Sequence, residues 1–401
     1  TPREGALPDR EDLAAMRATR GAEGLSGCIF LLATLQALAF PGSPVCMPAP
    51  ASRARVSARS CSSLRASARG EPRALEGRVA LVTGASRGIG KGVALALGEA
   101  GCTVYVTGRS TRGSSTSPGV GGDIETTAEE VTRLGGRGIA IACDHGVDSD
   151  VNAAFARIEK EQGGLDILVN SAFSAPDLGG SNNTKPFWEL GAAAWDPVHL
   201  VGLRSNYIAS CLAVPLMDRR GRGGSDGLIV HVSSFGGNTH VFNLAYGVGK
   251  AAVDRLCKDQ DVELRRGGLS RQVRTVSLYP GIVKTERVQS LMQSGEWDEI
   301  MGGRVRADTV YETPLLTGRA VVALATDRGG MAAKSGSVQV VAELAEEYGF
   351  TDVDGGRPPS IRSLKFISNM MESKVPDFLV PDWKLPMWIM AQGPPEDAKQ
   401  S

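Results

Sequence analysis

From Gly77 onward the chain alternates short β-branched runs with amphipathic stretches that end on glycine, and this alternation is its strongest constraint on fold. Strands separated by helices pair in parallel, because a helical crossover carries the chain back to the same end of the sheet. The strand-forming runs are residues 79–83, 103–107, 138–143, 166–170, 228–233, 274–279 and 337–342. Helical periodicity predicts helices over 88–99, 124–134, 151–162, 195–217 and 246–266. Gly101, Gly135 and Gly163 stand where helices want a left-handed residue to close them. The expected fold class is α/β, a Rossmann-like doubly wound sheet of about seven parallel strands flanked by helices.

The residues before this region are of another kind. Counted from Met16, Arg17 and Arg20 precede an apolar run from Cys28 to Phe40, and Ala37-Leu38-Ala39 supplies a small-residue cleavage site, as in a signal peptide. That run is too short to span a hydrocarbon core of about 30 Å as a helix. Between Pro41 and Leu75 stand six Arg, seven Ser and one acid, Glu71, the composition of a transit peptide and unsuited to a packed core. The two signals in series resemble the bipartite presequences of algae with complex plastids. The expected localisation is therefore the plastid, with mitochondrion or endoplasmic reticulum as alternatives. The expected organisation is a presequence over 1–75, a cofactor-binding catalytic domain over 76–360 and an apolar tail over 361–401.

Thr83-Gly84-Ala85-Ser86-Arg87-Gly88-Ile89-Gly90 joins the first strand to the first helix. Glycines there let the backbone approach a pyrophosphate lying at the helix N-terminus, so Gly84, Ser86, Arg87, Gly88, Ile89 and Gly90 are expected to bind cofactor. The same residues spell G-x-S-x-G, the nucleophile elbow of an α/β-hydrolase built on Ser86. Such an elbow normally follows several strands, and its triad ends on a late histidine, whereas here the strand is the first and the last histidine is His240. NAD enzymes place an acid on the ribose hydroxyls at the end of the second strand. This chain has Arg109 there and no acid from Cys102 to Gly122. A guanidinium at Arg109, joined by Arg87, suits a 2′-phosphate, so the expected cofactor is NADP(H).

Tyr246 and Lys250 stand four residues apart at the start of the helix over 246–266, on one face. A nearby ammonium and a cofactor positive charge are expected to lower the tyrosine from its ordinary pKa of about 10. The preceding strand ends in Ser233-Ser234, where a hydroxyl can hydrogen-bond an oxygen on which charge develops. Ser234, Tyr246 and Lys250 are the candidate catalytic residues.

Taken together, Thr83 to Gly90, Asp144, Asn170 in Val169-Asn170-Ser171-Ala172, Ser234, Tyr246, Lys250 and Tyr279-Pro280-Gly281-Ile282-Val283-Lys284-Thr285 resemble the short-chain dehydrogenases/reductases. The resemblance covers residues 77 to about 345. Val201-Gly202-Leu203-Arg204, Tyr246 to Lys250 and Tyr348-Gly349-Phe350-Thr351-Asp352-Val353-Asp354-Gly355 look like one branch of that family and extend the resemblance to most of the C-terminal tail. It implies hydride transfer between a nicotinamide and a carbonyl or hydroxyl carbon. It also implies that Asp144 and Asn170 approach the adenine and its ribose, while Pro280, Gly281, Val283 and Thr285 border the nicotinamide. Two departures stand out. The family's catalytic asparagine is replaced by Gly202, with Asn206 one turn on as a candidate substitute. The family's usual serine-to-tyrosine spacing selects Ser233, whereas the Ser-Phe-Gly-Gly context selects Ser234. A non-catalytic nucleotide-binding protein on the same fold is the rival reading, to which the Gly202 departure lends weight.

Lys+Arg and Asp+Glu both number 44, so no net charge favours nucleic acid, and a small-molecule carbonyl or alcohol is the expected partner. The family resemblance implies a homo-oligomer. The seven cysteines form no C-x-x-C pair. The four histidines form no ligand spacing, so no metal is expected and surface or loop roles are assigned to them. The apolar tail around Trp383 and Trp388 is expected to close the substrate pocket, pack on the body or another subunit, or touch a membrane surface.

Overall fold

The computed structural model describes residues 73–114, 120–174, 185–221, 226–301, 310–370, 375 and 379–390. Inter-residue contacts divide the chain into Ala58–Met387 and a second unit, Thr1–Ser57 with Trp388–Ser401. Of the second unit only 388–390 are described, at the end of the helical turn Met387–Met390. The presequence signals therefore lie outside the described residues.

Seven parallel strands form the sheet: β1 (Val79–Val82), β2 (Thr103–Gly108), β3 (Arg137–Ala142), β4 (Ile167–Asn170), β5 (Gly227–Val232), β6 (Val273–Tyr279) and β9 (Val338–Val340). They lie in the order β3-β2-β1-β4-β5-β6-β9, so the direction of winding reverses between β1 and β4. In doubly wound sheets ligands bind in the crevice at the carboxyl ends of strands flanking such a reversal.

The principal helices are α1 (Gly88–Glu99), α2 (Ile124–Arg133), α3 (Asp148–Gln162), α4 (Phe187–His199), α5 (Ser205–Gly221), α6 (Leu244–Arg266), α7 (Glu286–Ser294), α8 (Glu296–Met301), α9 (Pro314–Thr326), α10 (Met331–Lys334) and α11 (Val341–Tyr348). Alternation along β1 sorts them into two layers. Ala80 and Val82 join a core built with Val93, Leu97, Ile124, Val131, Leu316 and Leu344 of α1, α2, α9 and α11. Val79 and Leu81 face the other way, toward Val151, Phe155 and Ile158 of α3, Ala213 and Met217 of α5 and Leu264 of α6.

Three expectations need correction. Residues 341 and 342 belong to α11, because the last strand stops at Val340 once its pairing with β6 ends at Tyr279. The single helix expected over 195–217 is instead α4, a π-helical turn at Leu200–Arg204, and α5. Pro197 cannot donate to an α-helical ladder, and π-turns are common at functional positions. A short parallel pair, β7 (Ile282–Val283) with β8 (Tyr311–Glu312), is additional to the seven strands. By length and mean hydropathy the helical run Phe187–Gly221 would pass for a membrane span, but its α5 part supplies one face of the core.

Candidate active site

The carboxyl ends of β1 and β4 flank the reversal point, with those of β2, β5 and β6 on either side of them. At the end of β1, Gly84 has φ +64°, and a Cβ there would lie 2.6 Å from the Cα of Ala172. The loop after β4 thus presses directly on the glycine turn, and Thr83 Oγ1 ties them together by accepting from the backbone N–H groups of Ser171 and Ala172, each at 3.0 Å. Gly88, with φ +57°, opens α1 and donates its N–H to Glu286 Oε2 at 2.7 Å. A carboxylate therefore already sits where the helix N-terminus favours an anion.

At the end of β2, Arg87 donates to Ser110 Oγ at 2.9 Å and to the carbonyl of Gly122 at 3.0 Å. Burial pulls its guanidinium pKa down, the Glu286 carboxylate pulls it up, and Arg109 pulls it down. Arg109 lies 3.9 Å from Asp144, with both side chains substantially exposed. Asn170, buried at the end of β4, donates toward Ser210 and toward His231 Nδ1, and its Oδ1 has no partner. The exposed Arg109, the part-buried Arg87 and the orphaned amide oxygen of Asn170 are groups that a nucleotide phosphate and ribose would satisfy.

Ser234 follows β5 and caps a short 3₁₀ turn, Phe235–Gly237, accepting from the Gly236 N–H at 3.1 Å. Its hydroxyl shares a hydrogen bond with that of Tyr246. Ser233 faces elsewhere, donating to the carbonyl of Lys250 at 3.3 Å. The structure thus brings Ser234 to Tyr246 and leaves Ser233 against the helix. Asn243 caps α6, accepting from the Tyr246 N–H at 3.0 Å, and so fixes where Tyr246 and Lys250 begin their turn.

The Tyr246 hydroxyl departs from expectation. Burial pushes its pKa up to about 12, and the bond to Ser234 offsets only part of that. Lys250 Nζ is 5.8 Å from the Tyr246 ring and donates to the carbonyl of Val232 at 3.0 Å. Burial pulls the ammonium down to about 8, against the pull of Asp254, so it remains charged at neutral pH. Asp254, one turn beyond Lys250, is itself raised by burial while hydrogen bonds from Ser277 and Tyr279 and the Lys250 charge hold it down.

Pro280 to Thr285 curve back toward the glycine turn, and a Cβ on Gly88 would lie 3.4 Å from Thr285 Cγ2. Val283 is buried, and Thr285 caps α7. The N–H of Gly281 is held by the carboxyl of Glu312, a fully buried group that burial raises to about 8 and whose Oε2 has no partner. Glu312, Asp254 and Glu286 were not singled out from sequence, since each reaches the site by tertiary packing; only Asp254 carried a signal, its i+4 spacing from Lys250. Two aromatic residues were also missed. Phe242, with φ +62°, and Phe173 set their ring edges against Tyr246, at 5.0 and 5.8 Å between centroids. A bulky residue in the left-handed region is uncommon and stored at such positions at a cost.

The histidines are not all surface groups. His231 on β5 and His145 after β3 are buried, and burial lowers both to about 4. His145 Nε2 is 2.9 Å from Thr107 Oγ1, and His231 Nε2 is 2.8 Å from Gln260 Oε1. At the departure noted at Gly202, Asn206 is buried but donates to the carbonyl of Gly202 at 3.0 Å rather than reaching Lys250. In the C-terminal part, the Leu364 N–H donates to the carbonyl of Trp383, whose side chain is exposed.

Comparison with known proteins places this geometry. A family model described as short chain dehydrogenase matches residues 78–295. Dehydrogenase/reductase SDR family member 1 of Mus musculus is 40% identical over 325 residues, covering 79% of this chain and 96% of that protein. The Homo sapiens protein of the same name is 39% identical over 326 residues, covering 79% and 97%. Among solved structures, a short-chain type dehydrogenase/reductase from Mycobacterium marinum superposes with a TM-score of 0.52 at 26% identity, covering 66% of this chain and 94% of that one. A 7α-hydroxysteroid dehydrogenase complexed with NADH and 7-oxo glycochenodeoxycholic acid shares the fold, with a TM-score of 0.54 at 24% identity and coverages of 66% and 93%.

Proposed function

The chain belongs to the short-chain dehydrogenase/reductase family, and from that premise we propose that it is an NADPH-dependent carbonyl reductase. The observation that carries the reading is the Tyr246 hydroxyl, hydrogen-bonded to Ser234 and held protonated by burial beside a charged Lys250. A phenol in that state is present as the acid and can pass its proton to an alkoxide, which is more basic still, whereas the phenolate that alcohol oxidation needs as its base is scarce, and this suits reduction of a carbonyl.

The nicotinamide ring would supply the hydride. Gly84, Gly88 and Gly90 would offer the backbone cradle, Arg109 and Arg87, the latter held by Ser110, would bind a 2′-phosphate, and Asp144 with Asn170 would bound the adenosine side. Pro280, Gly281, Val283 and Thr285 border the space between the cradle and Tyr246. Ser234 steadies the substrate oxygen, Tyr246 donates its proton to that oxygen, and the Lys250 ammonium stabilises the charge left on Tyr246. Phe173 and Phe242 exclude water from the tyrosine and favour a substrate with an apolar flank. Family membership displaces the hydrolase alternative at Ser86, and the paired Ser234 and Tyr246 speak against a merely nucleotide-binding role. Exposed Trp195, Tyr207, Leu244 and Val248 on α4, α5 and α6 support a homo-oligomer.

Fluorescence titration with each cofactor tests the nucleotide assignment. NADPH should bind at least about tenfold tighter than NADH, and Arg109→Ala should erase most of that preference. Equal affinities, or a preference that survives Arg109→Ala, would defeat it.

A further inference from the structure

Gly202 departs from its family, and the structure shows what has taken its room. A Cβ built on Gly202 would lie 2.9 Å from Cδ2 and 3.2 Å from Cε2 of Phe173, so no larger residue fits while that ring stays. Phe173 lies on the loop after β4 with 37% of its surface exposed, and the Lys250 ammonium sits over its ring face, 4.7 Å from the centroid. Its edge meets Tyr246 at an interplanar angle of 88°. One polar contact of the ammonium goes to the carbonyl of Val232, and the Gly202 carbonyl is engaged by Asn206.

We propose that Phe173 is a positioning residue that stands in for the polar side chain missing at Gly202, holding the Lys250 ammonium against its ring face beneath Tyr246. The inference rests on the Ser234, Tyr246 and Lys250 reading of the site but not on any substrate. An aromatic face attracts a cation through its quadrupole, and the attraction grows when water is excluded. Lys250 is in that situation, since burial disfavours its charge and Asp254 and the ring favour it. Among the described residues, Tyr246 on α6 lies beside the ammonium and Tyr279 on β6 acts on Asp254 and Tyr246, and both tyrosines are protonated and thus uncharged at neutral pH. Gly202 and Phe173 are then two halves of one arrangement, the first small so that the second can sit there.

The test reads Lys250 itself, by carbon NMR of the cofactor-free full chain carrying labelled lysine, with Lys250→Met to assign the resonance. Phe173→Leu keeps an apolar side chain but loses the quadrupole, and should lower the Lys250 ionisation midpoint by about tenfold in proton concentration, whereas Phe173→Tyr should preserve it. An unchanged or raised midpoint in Phe173→Leu would overturn the proposal. Thermal unfolding supplies a second readout. Gly202→Ala should lower the midpoint in the native background and cost little beside Phe173→Ala, because the two positions share one space. Equal cost in both backgrounds would also overturn it. Failure of the carbonyl-reductase reading would leave both results unaltered, so the two failures are distinguishable.

Discussion

At the scale of single residues, burial is the main force on the titratable groups of the site. It keeps Tyr246 protonated, lowers the Lys250 ammonium to about 8 and gives Glu312 an affinity for protons unlike that of an ordinary carboxyl. The last of these has a consequence for stability. Because the folded pKa of Glu312 is raised to about 8, the folded chain retains a proton that the unfolded chain releases at ordinary carboxylate pH. Its contribution is therefore fully present below the unfolded value and is lost as pH rises through about 8. Glu312→Gln should show a smaller fall in thermal unfolding midpoint between pH 5 and pH 9 than the native chain. An identical fall would show that Glu312 does not titrate as its burial implies. Ser234, Tyr246 and Lys250 could be singled out because they are tied to a strand end and a helix start in fixed order. Phe173 and Glu312 could not, since a phenylalanine in a loop and a glutamate in a two-residue strand acquire meaning only from what packs against them.

At the scale of elements, the seven strands were legible because each is a run of apolar, largely β-branched residues bounded by glycine or polar turns. The two-residue strands β7 and β8 were not, being too short for any period to show. The π-turn at Leu200–Arg204 has no sequence period of its own, and Pro197 is the one mark of the break beside it. The junction of α1 with α7 is the element contact most open to test. Glu286 occupies the Gly88 N–H that an anionic cofactor group would need, and two anions cannot share it. Glu286→Gln removes the competing charge and should tighten NADPH binding by about fivefold, a magnitude typical of a charge at a helix end. Isothermal titration of both proteins measures it, and weaker binding by Glu286→Gln would show the carboxylate to be an organiser of the loop instead.

At the scale of the whole molecule, the described residues carry the seven-stranded sheet, its reversal point and the candidate site, and the residues before Arg73 have the composition of a targeting segment. We propose that they direct the protein to a plastid and are then removed. Mass spectrometry of the native protein should find an N-terminus after Phe40 and before Gly77. A mature chain that keeps Cys28 through Phe40 would refute this route. The chemistry is more directly accessible: NADPH oxidation followed with a panel of aldehydes, ketones and quinones, for the native chain and for Tyr246→Phe. The native chain should oxidise NADPH with at least one carbonyl, and Tyr246→Phe should bind NADPH while turning over roughly 10²–10⁴-fold more slowly, the span that a positioned acid contributes. Unchanged turnover in Tyr246→Phe would contradict the assignment of the proton to that hydroxyl.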